Sequence, residues 1–333
     1  MVAAAKHQPD RKLSPLSLKP RLRFADNTGD TTDKVYLIGK IDRIIENHMI
    51  PYTTQPTPCL QKLDRLKWAD GICFEAYGAK VGVRVTNQEA LAEIMSILPP
   101  NWQPAESHEV QEVVSYQVGG PGTRPGIRSY HLVYVDSVRM SRTHEKAEAL
   151  HAVEACAQLA VAMRAKDRVF IHAGAVAWKG RIITLPGRSF AGKSTLVAAL
   201  LKAGATNYSD EYTVLDKDGF VHPYPRKLSL RNGEQIARTR VTAEDLGSRT
   251  GVDPLPVGMV AVTTFRPEVK WTPRPLSAGK AGLAMFNNAV AAMHRPQECL
   301  TMIERAVSGA VCVQGARGDA DETAERILSA CEW

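Results

Sequence analysis

Between Gly187 and Ser194 the chain reads Gly-Arg-Ser-Phe-Ala-Gly-Lys-Ser, which fits the pattern G-x-x-x-x-G-K-[ST] at each fixed position. These residue types at this spacing suit phosphate binding. A loop that wraps a phosphate chain turns several backbone N–H groups inward, and bulky side chains would obstruct that approach. The helix that follows adds N–H groups without intrahelical partners and the positive end of its dipole. Gly187, Arg188, Ser189, Phe190, Ala191, Gly192, Lys193, Ser194 and Thr195 are therefore the candidate nucleotide-binding residues. Lys193 would neutralise the outer phosphates and the Ser194 hydroxyl would sit on magnesium. The bland alternative is a glycine turn before an ordinary helix.

Two further groups belong to the same chemistry. Asp210 and Glu211 follow Lys193 by 17 residues, enough for one helix and a turn, so the strand they open is expected beside the loop strand. Adjacent carboxylates there, with Ser194, would ligate a metal, and one of them would accept a proton from an attacking hydroxyl. A solvated acidic turn is the competing reading. His172 lies 15 residues ahead of Gly187 in an apolar run, where it is either a hydrogen-bonded core residue or a group near the transferred phosphoryl.

The elements that must position these residues are legible as patterns. Ile182 to Leu185 reads as a buried strand ending at Pro186, and Thr195 to Leu201 as a helix stopped by Gly204. Val169 to Trp178 is a strand that returns through Lys179-Gly180. Tyr212 to Leu215 and Phe220 to His222 form a hairpin about Asp218-Gly219. Val257 to Phe265 and Ala310 to Val313 are further strands. Helices are expected over 277–293, 296–308 and 321–329.

Upstream, Ile72 to Tyr77 and Lys80 to Val85 read as a hairpin through Gly78. Thr86 and Glu89 form a capping-box pattern for a helix to Leu98. Val110 to Val118 and His131 to Val138 are strands separated by the turn-rich Gly119 to Gly126. Leu150, Val153, Ala157 and Val161 recur on one face of a long helix over 144–165 that joins the two halves.

The sequence therefore divides into a basic tail (1–34), expected to be disordered, an α+β recognition or regulatory domain (35–143), a linking helix (144–167) and an α/β nucleotide-binding domain (168–333). With 333 residues, 44% hydrophobic and 23% charged, the composition is that of a globular chain with a substantial core. The first 24 residues hold six bases against one acid, so +5 of the net +7 sits in the tail. No secretory leader or membrane span is expected, and the cytoplasm is the expected location. The six scattered cysteines suggest neither zinc nor a disulfide framework. No basic-aromatic pattern points to nucleic acid, and formation of an oligomer is left open.

His172, the Gly187–Ser194 loop and the Asp210-Glu211 pair together resemble the catalytic domain of the HPr kinase/phosphorylase family, over about residues 168–331. That family shares its P-loop core, built on a mixed sheet, with the ATP-dependent phosphoenolpyruvate carboxykinases. The resemblance implies an ATP- and Mg2+-dependent serine kinase acting on a protein or peptide, with a peptide-modification pathway as one setting. Lys193, Asp210, Glu211 and His172 would then be catalytic, and Ser194, Asp210 and Glu211 would meet the metal. The chain departs from the family pattern in Phe190, where glycine is usual, and in Asp-Glu for the common Asp-Asp. A downstream glycine-rich signature with a metal-binding Glu is replaced by the basic stretch Pro223 to Arg231, whose Arg226, Lys227 and Arg231 either balance triphosphate charge or belong to a solvated strand end. Two alternatives stand beside the kinase. One is an ATP-binding regulatory module without turnover; the other is a small-metabolite kinase or carboxykinase-like enzyme using Arg266 or Arg274 as a carboxylate clamp.

Overall fold

Alternating apolar residues and one tight turn start the first sheet. In this computed structural model, which describes residues 63–121, 128–187, 192–231 and 238–333, β1 (Asp70–Ala76) and β2 (Ala79–Val85) pair antiparallel. Their turn places Tyr77 at φ 51° and Gly78 at φ 74°, the left-handed pair that a two-residue hairpin requires. Helix α1 (Glu89–Met95), β3 (Gln103–Pro104) and β4 (Glu112–Gln117) follow. A small ribbon of β5 (Gly120–Pro121) and β6 (Arg128–Ser129) leads to β7 (His131–Val135) and β8 (Val138–Thr143). The sheet order is β3-β1-β2-β4-β7-β8, antiparallel except for the β2–β4 pair. The basic tail, residues 35–62 of the region read as an α+β domain, and Gly122 to Gly126 of the turn-rich loop lie outside the described residues.

The capping box expected at Thr86 is not used. Thr86 Oγ1 instead accepts from the Val118 amide at 2.9 Å, and Asn87 Oδ1 takes the Glu89 amide at 2.8 Å. A strand end competing for the same hydroxyl explains the difference.

Helix α2 (Lys146–Arg164) packs on this sheet through β2, β4, β7 and β8. Its buried face is broad and made of small residues: Ala149, Ala152, Cys156, Ala157 and Ala160, with Val153 and Val161. Small side chains let a helix approach a sheet closely while its other flank meets the second half of the chain. Within that face lies one carboxylate, Glu154, only 6% exposed.

The second sheet is organised on β9 (Arg168–Trp178), an eleven-residue strand buried at every position except its ends. The turn at Lys179 (φ 47°) and Gly180 (φ 79°) returns the chain as β10 (Arg181–Pro186). After helix α3 (Lys193–Lys202), β11 (Thr206–Ser209) and β12 (Tyr212–Asp216) run along the other edge of β9. β13 (Phe220–His222), the hairpin β14 (Leu228–Arg231) and β15 (Arg238–Val241), and β16 (Leu255–Phe265) come next. Then come β17 (Arg274–Pro275), α4 (Ala278–Phe286), α5 (Pro296–Val307), β18 (Val311–Arg317) and α6 (Ala320–Ser329). The order is β10-β9-β12-β13-β16-β18-β17, and β10 also pairs parallel with β16. The fold is therefore mixed α/β.

Period-two alternation sorts side chains to the two faces. Ile183, Val176 and Met259 pack with α3 and α6, while Ile182, Ala175 and Val260 pack with α4 and α5. Gly174 permits the α3 contact, since a Cβ there would lie 2.6 Å from Val197 Cγ2. The helix expected over 277–293 stops at Phe286, because the segment beyond it turns to bond β9: the Val290 amide donates to Phe170 O at 2.9 Å. No helix among the described residues is long and apolar enough to cross a membrane.

Glu112, at the start of β4, offers a direct check on the first sheet. Burial, and then Asp136, push its carboxyl up to about 7 although Arg164 lies 3.3 Å away. A carboxyl raised in the fold is favoured in its protonated form, so its contribution is present at low pH and is lost between pH 4.5 and about 7. Urea melts should show wild type losing up to about 3 kcal/mol across that window relative to Glu112→Gln. Equal pH dependence in the two proteins would contradict this assignment.

Candidate phosphoryl-transfer site

One level of β9 gathers the residues singled out in the sequence. Pro186, the last residue of β10, pairs with Ala173 on one edge. On the other edge the Ala173 amide donates to Glu211 O at 3.1 Å, and Tyr212 pairs with His172. The start of the phosphate loop, the acidic pair and His172 thus share a register, each strand spaced by about 4.8 Å from the next. The acid strand does not adjoin the loop strand as the sequence suggested; β9 lies between them. A long buried strand with two free edges accepts both partners, which the loop-to-acid spacing alone did not reveal.

The acidic pair occupies a break between β11 and β12. The register slips by one residue between Asn207 and Ser209, and buried Ser209 then fixes the turn. Its Oγ accepts from the amides of Glu211 at 3.1 Å and Tyr212 at 2.9 Å.

On the loop side, Gly192 precedes α3 with φ 75° and ψ 22°, and no side chain caps the helix start. Lys193 is only 8% exposed, as is Asp210. The Ser194 hydroxyl donates to Asp210, and the Ser229 amide reaches Asp210 Oδ2 at 3.4 Å. Arg188, Ser189, Phe190 and Ala191 lie outside the described residues, so both ends of the loop are framed here: Gly187 after β10 and Gly192 before α3.

The two neighbouring carboxylates are pushed apart. Burial, and then the charge of Glu211, raise the Asp210 carboxyl above its ordinary value, outweighing Arg226 and the hydrogen bonds from Ser194 and Ser229. Burial acts on Glu211 as well, but Arg226 and His172 outweigh it and hold that carboxyl low. Solvent still reaches 36% of the Glu211 side chain within its recess. His172 is buried, its amide donating to Asn288 O at 2.7 Å.

Arg226 connects the acids to the first half of the chain. Its Nη1 donates to Glu211 Oε2 and its Nη2 donates to Glu154 Oε1 at 2.7 Å. Glu154 also accepts from Arg240, and His151 Nδ1 lies 3.7 Å from it. Burial alone would raise Glu154, yet His151, Arg226 and Arg240 together hold it at about 2.

A second anchor was not foreseen. Arg317, at the end of β18 and almost wholly buried, donates from Nη2 to Gly192 O at 2.8 Å and lies over the Phe265 ring at 5.6 Å. Phe265 itself is 54% exposed and borders a cleft of about 680 Å3. Thr195 and Ala199 of α3 line it, as do Glu268, Asp319 and Asp321. The cleft opens beyond the carboxyl ends of the parallel strands β16 and β18, the usual place for ligands in such sheets. Arg266 and Arg274 are exposed, the latter on β17.

Glu154, Arg317 and Phe265 were missed by sequence reasoning. A lone acid within the Ala-rich face of α2 was the available signal for Glu154. Nothing local marked the other two.

Among the described residues no three His, Cys, Asp or Glu side chains converge as a ready-made metal site. The donor set of Ser194, Asp210 and Glu211 suits magnesium, which takes one or two carboxylates and otherwise relies on phosphate oxygens and water. No protein-family model matches the chain, and a search of curated proteins finds no similar relative.

Gly192 tests the frame. A Cβ there would sit 2.5 Å from Arg317 Nη2, at a φ that L residues adopt at a cost of about 1–2 kcal/mol. Gly192→Ala should weaken calorimetric binding of inorganic tripolyphosphate at least tenfold, with a retained far-UV spectrum. Unchanged affinity would show that this glycine does not shape the loop.

Proposed function

We propose that the chain is an ATP- and magnesium-dependent kinase that transfers the γ-phosphoryl group to a serine hydroxyl of a protein or peptide. It would use a P-loop core of the kind shared by HPr kinases and phosphoenolpyruvate carboxykinases. The observation that carries this reading is the shared level on β9, which brings the start of the loop, Asp210-Glu211 and His172 together. A cytoplasmic setting, where ATP and magnesium are abundant, fits it.

The mechanism follows from the unequal surroundings of the acids. Asp210, raised by burial and by its neighbour, is the better proton acceptor. It takes the proton from the serine hydroxyl as the oxygen forms its bond to the γ-phosphorus. The bond from that phosphorus to the bridging oxygen breaks, and ADP leaves. Lys193 offsets charge on the transferred group from within a largely water-excluded pocket. Glu211, kept ionised by Arg226 and His172, would hold magnesium with Ser194. When bound, magnesium neutralises and orients the phosphate chain. The cleft beside α3 is large enough for the nucleoside, with the exposed Phe265 ring as a surface for the base and carboxylates for the ribose hydroxyls.

Labelled ATP with serine-containing peptides should show transfer by wild type. Asp210→Asn should lower kcat by about 10²-fold or more while ATP affinity stays within threefold. Lys193→Ala should remove both. Undiminished transfer by Asp210→Asn would remove it as the base, and absence of any Lys193-dependent turnover would remove the kinase reading. Phe265→Ala should weaken ATP binding several-fold and leave tripolyphosphate binding unchanged, by calorimetry; equal loss for both ligands would argue against the cleft as the nucleoside site.

A further inference from the structure

Arg226 joins two carboxylates that belong to different halves of the chain. Glu211 lies in the break of the second sheet, and Glu154 projects from α2, the helix that covers the first sheet. The guanidinium is 14% exposed and Glu154 7%, so neither charge is compensated by bulk water. Arg240 and His151 complete the surroundings of Glu154.

The backbone that carries Arg226 is held from both sides as well. The Tyr77 hydroxyl, from the β1–β2 turn, donates to Pro223 O at 3.2 Å. The Tyr224 amide donates to Tyr208 O at 2.9 Å, next to the acidic break. The Tyr224 ring is fully buried against Tyr77, Phe170 and Tyr212, at centroid distances of 5.8, 5.6 and 5.6 Å. With its root fixed, Arg226 has little freedom except at the end of its side chain, where the two carboxylates define its place.

We infer that Arg226 is a positioning residue through which the first half of the chain, by way of Glu154, sets the Glu211 carboxylate of the transfer site. This deepens the proposed kinase reading and rests on it. The first half is then more than a recognition module: its helix α2 is part of the catalytic apparatus. A ligand or acceptor that shifts α2 changes the partner of Arg226 and, with it, the orientation of Glu211. The phosphate cradle has a further anchor outside this linkage, Arg317 Nη2 on Gly192 O, so KM for the donor should change less than kcat when the linkage is broken.

The test combines turnover with a measurement that needs none. Hydrogen exchange on the full chain should show lost amide protection at 209–212 in Glu154→Gln, while β9 and α3 stay protected. In Lys193-dependent transfer of label from Mg-ATP to the serine-containing peptides, Glu154→Gln and Arg226→Gln should each lower kcat about tenfold, with KM for ATP within threefold. The double variant should be no worse than the poorer single one, and Arg226→Lys should recover part of the rate. Glu154→Gln keeps the shape of the side chain and covers the case in which Arg226→Gln fails to fold. Unchanged exchange at 209–212 would overturn the linkage whatever the turnover. So would exchange that rises while kcat stays at wild type, or losses in kcat that multiply in the double variant. If wild type shows no Lys193-dependent turnover, the kinase reading falls and the exchange result alone decides the linkage.

Discussion

The site depends on the hydrogen-bond register along β9. A strand buried on both faces must pair both of its edges, or leave backbone groups desolvated without partners. β10 takes one edge, and β11 with β12 takes the other. Since β10 leads into the phosphate loop and the β11–β12 break carries the acids, these ladders fix the distance between them. A slip of one residue in either ladder would turn every side chain to the opposite face. The alternation that sends Ile182 to one helical layer and Ile183 to the other opposes that slip, so core packing and site geometry are specified together.

Within that frame, the competition between desolvation and charge pairing gives each acid its character. Asp210 and Glu211 are sequence neighbours with unequal surroundings, and they are driven in opposite directions. Asp210 meets Ser194 and the Ser229 amide, and these do not offset burial plus the adjacent charge. Glu211 meets the full charge of Arg226, which does. Neighbouring carboxyls separated in this way suit one to proton transfer and the other to holding positive charge. The arginine is stabilised in its charged form by the same contacts, because burial lowers it while Glu211 and Glu154 raise it.

Much of this was legible in the sequence wherever a local rule had no rival. The Lys179-Gly180 turn, the strands on either side and the helix after the loop all stand where residue pattern puts them. Local rules failed where a distant partner competed. Thr86 gave its hydroxyl to Val118 rather than to a helix, and the segment after Phe286 left helical form to bond β9. The last strand runs beyond Val313 to Arg317 because Gly315 fits under Trp271, where a Cβ would meet the ring at 2.9 Å. Asp210 and Glu211 were visible as a pair, but their unequal chemistry was not. It depends on Arg226, 15 residues beyond Glu211, whose other carboxylate partner, Glu154, is hidden in a helix whose period marks it only as a polar residue among alanines.

Two different kinds of support hold the two ends of the site, and they respond differently to change. The loop end rests on backbone geometry and one buried side chain, Gly192 against Arg317, with α3 fixed beneath by Leu196, Val197, Leu200 and Leu201. Burial of each of those side chains contributes about 2 kcal/mol, so this end is stiff and belongs to the second half alone. The acid end rests on paired charges that cross between the halves, and such pairs depend on close geometry because their desolvation cost nearly matches their attraction. A displacement of α2 therefore alters the balance around Arg226 strongly. The phosphates thus rest on the stiff support and the carboxylate on the sensitive one.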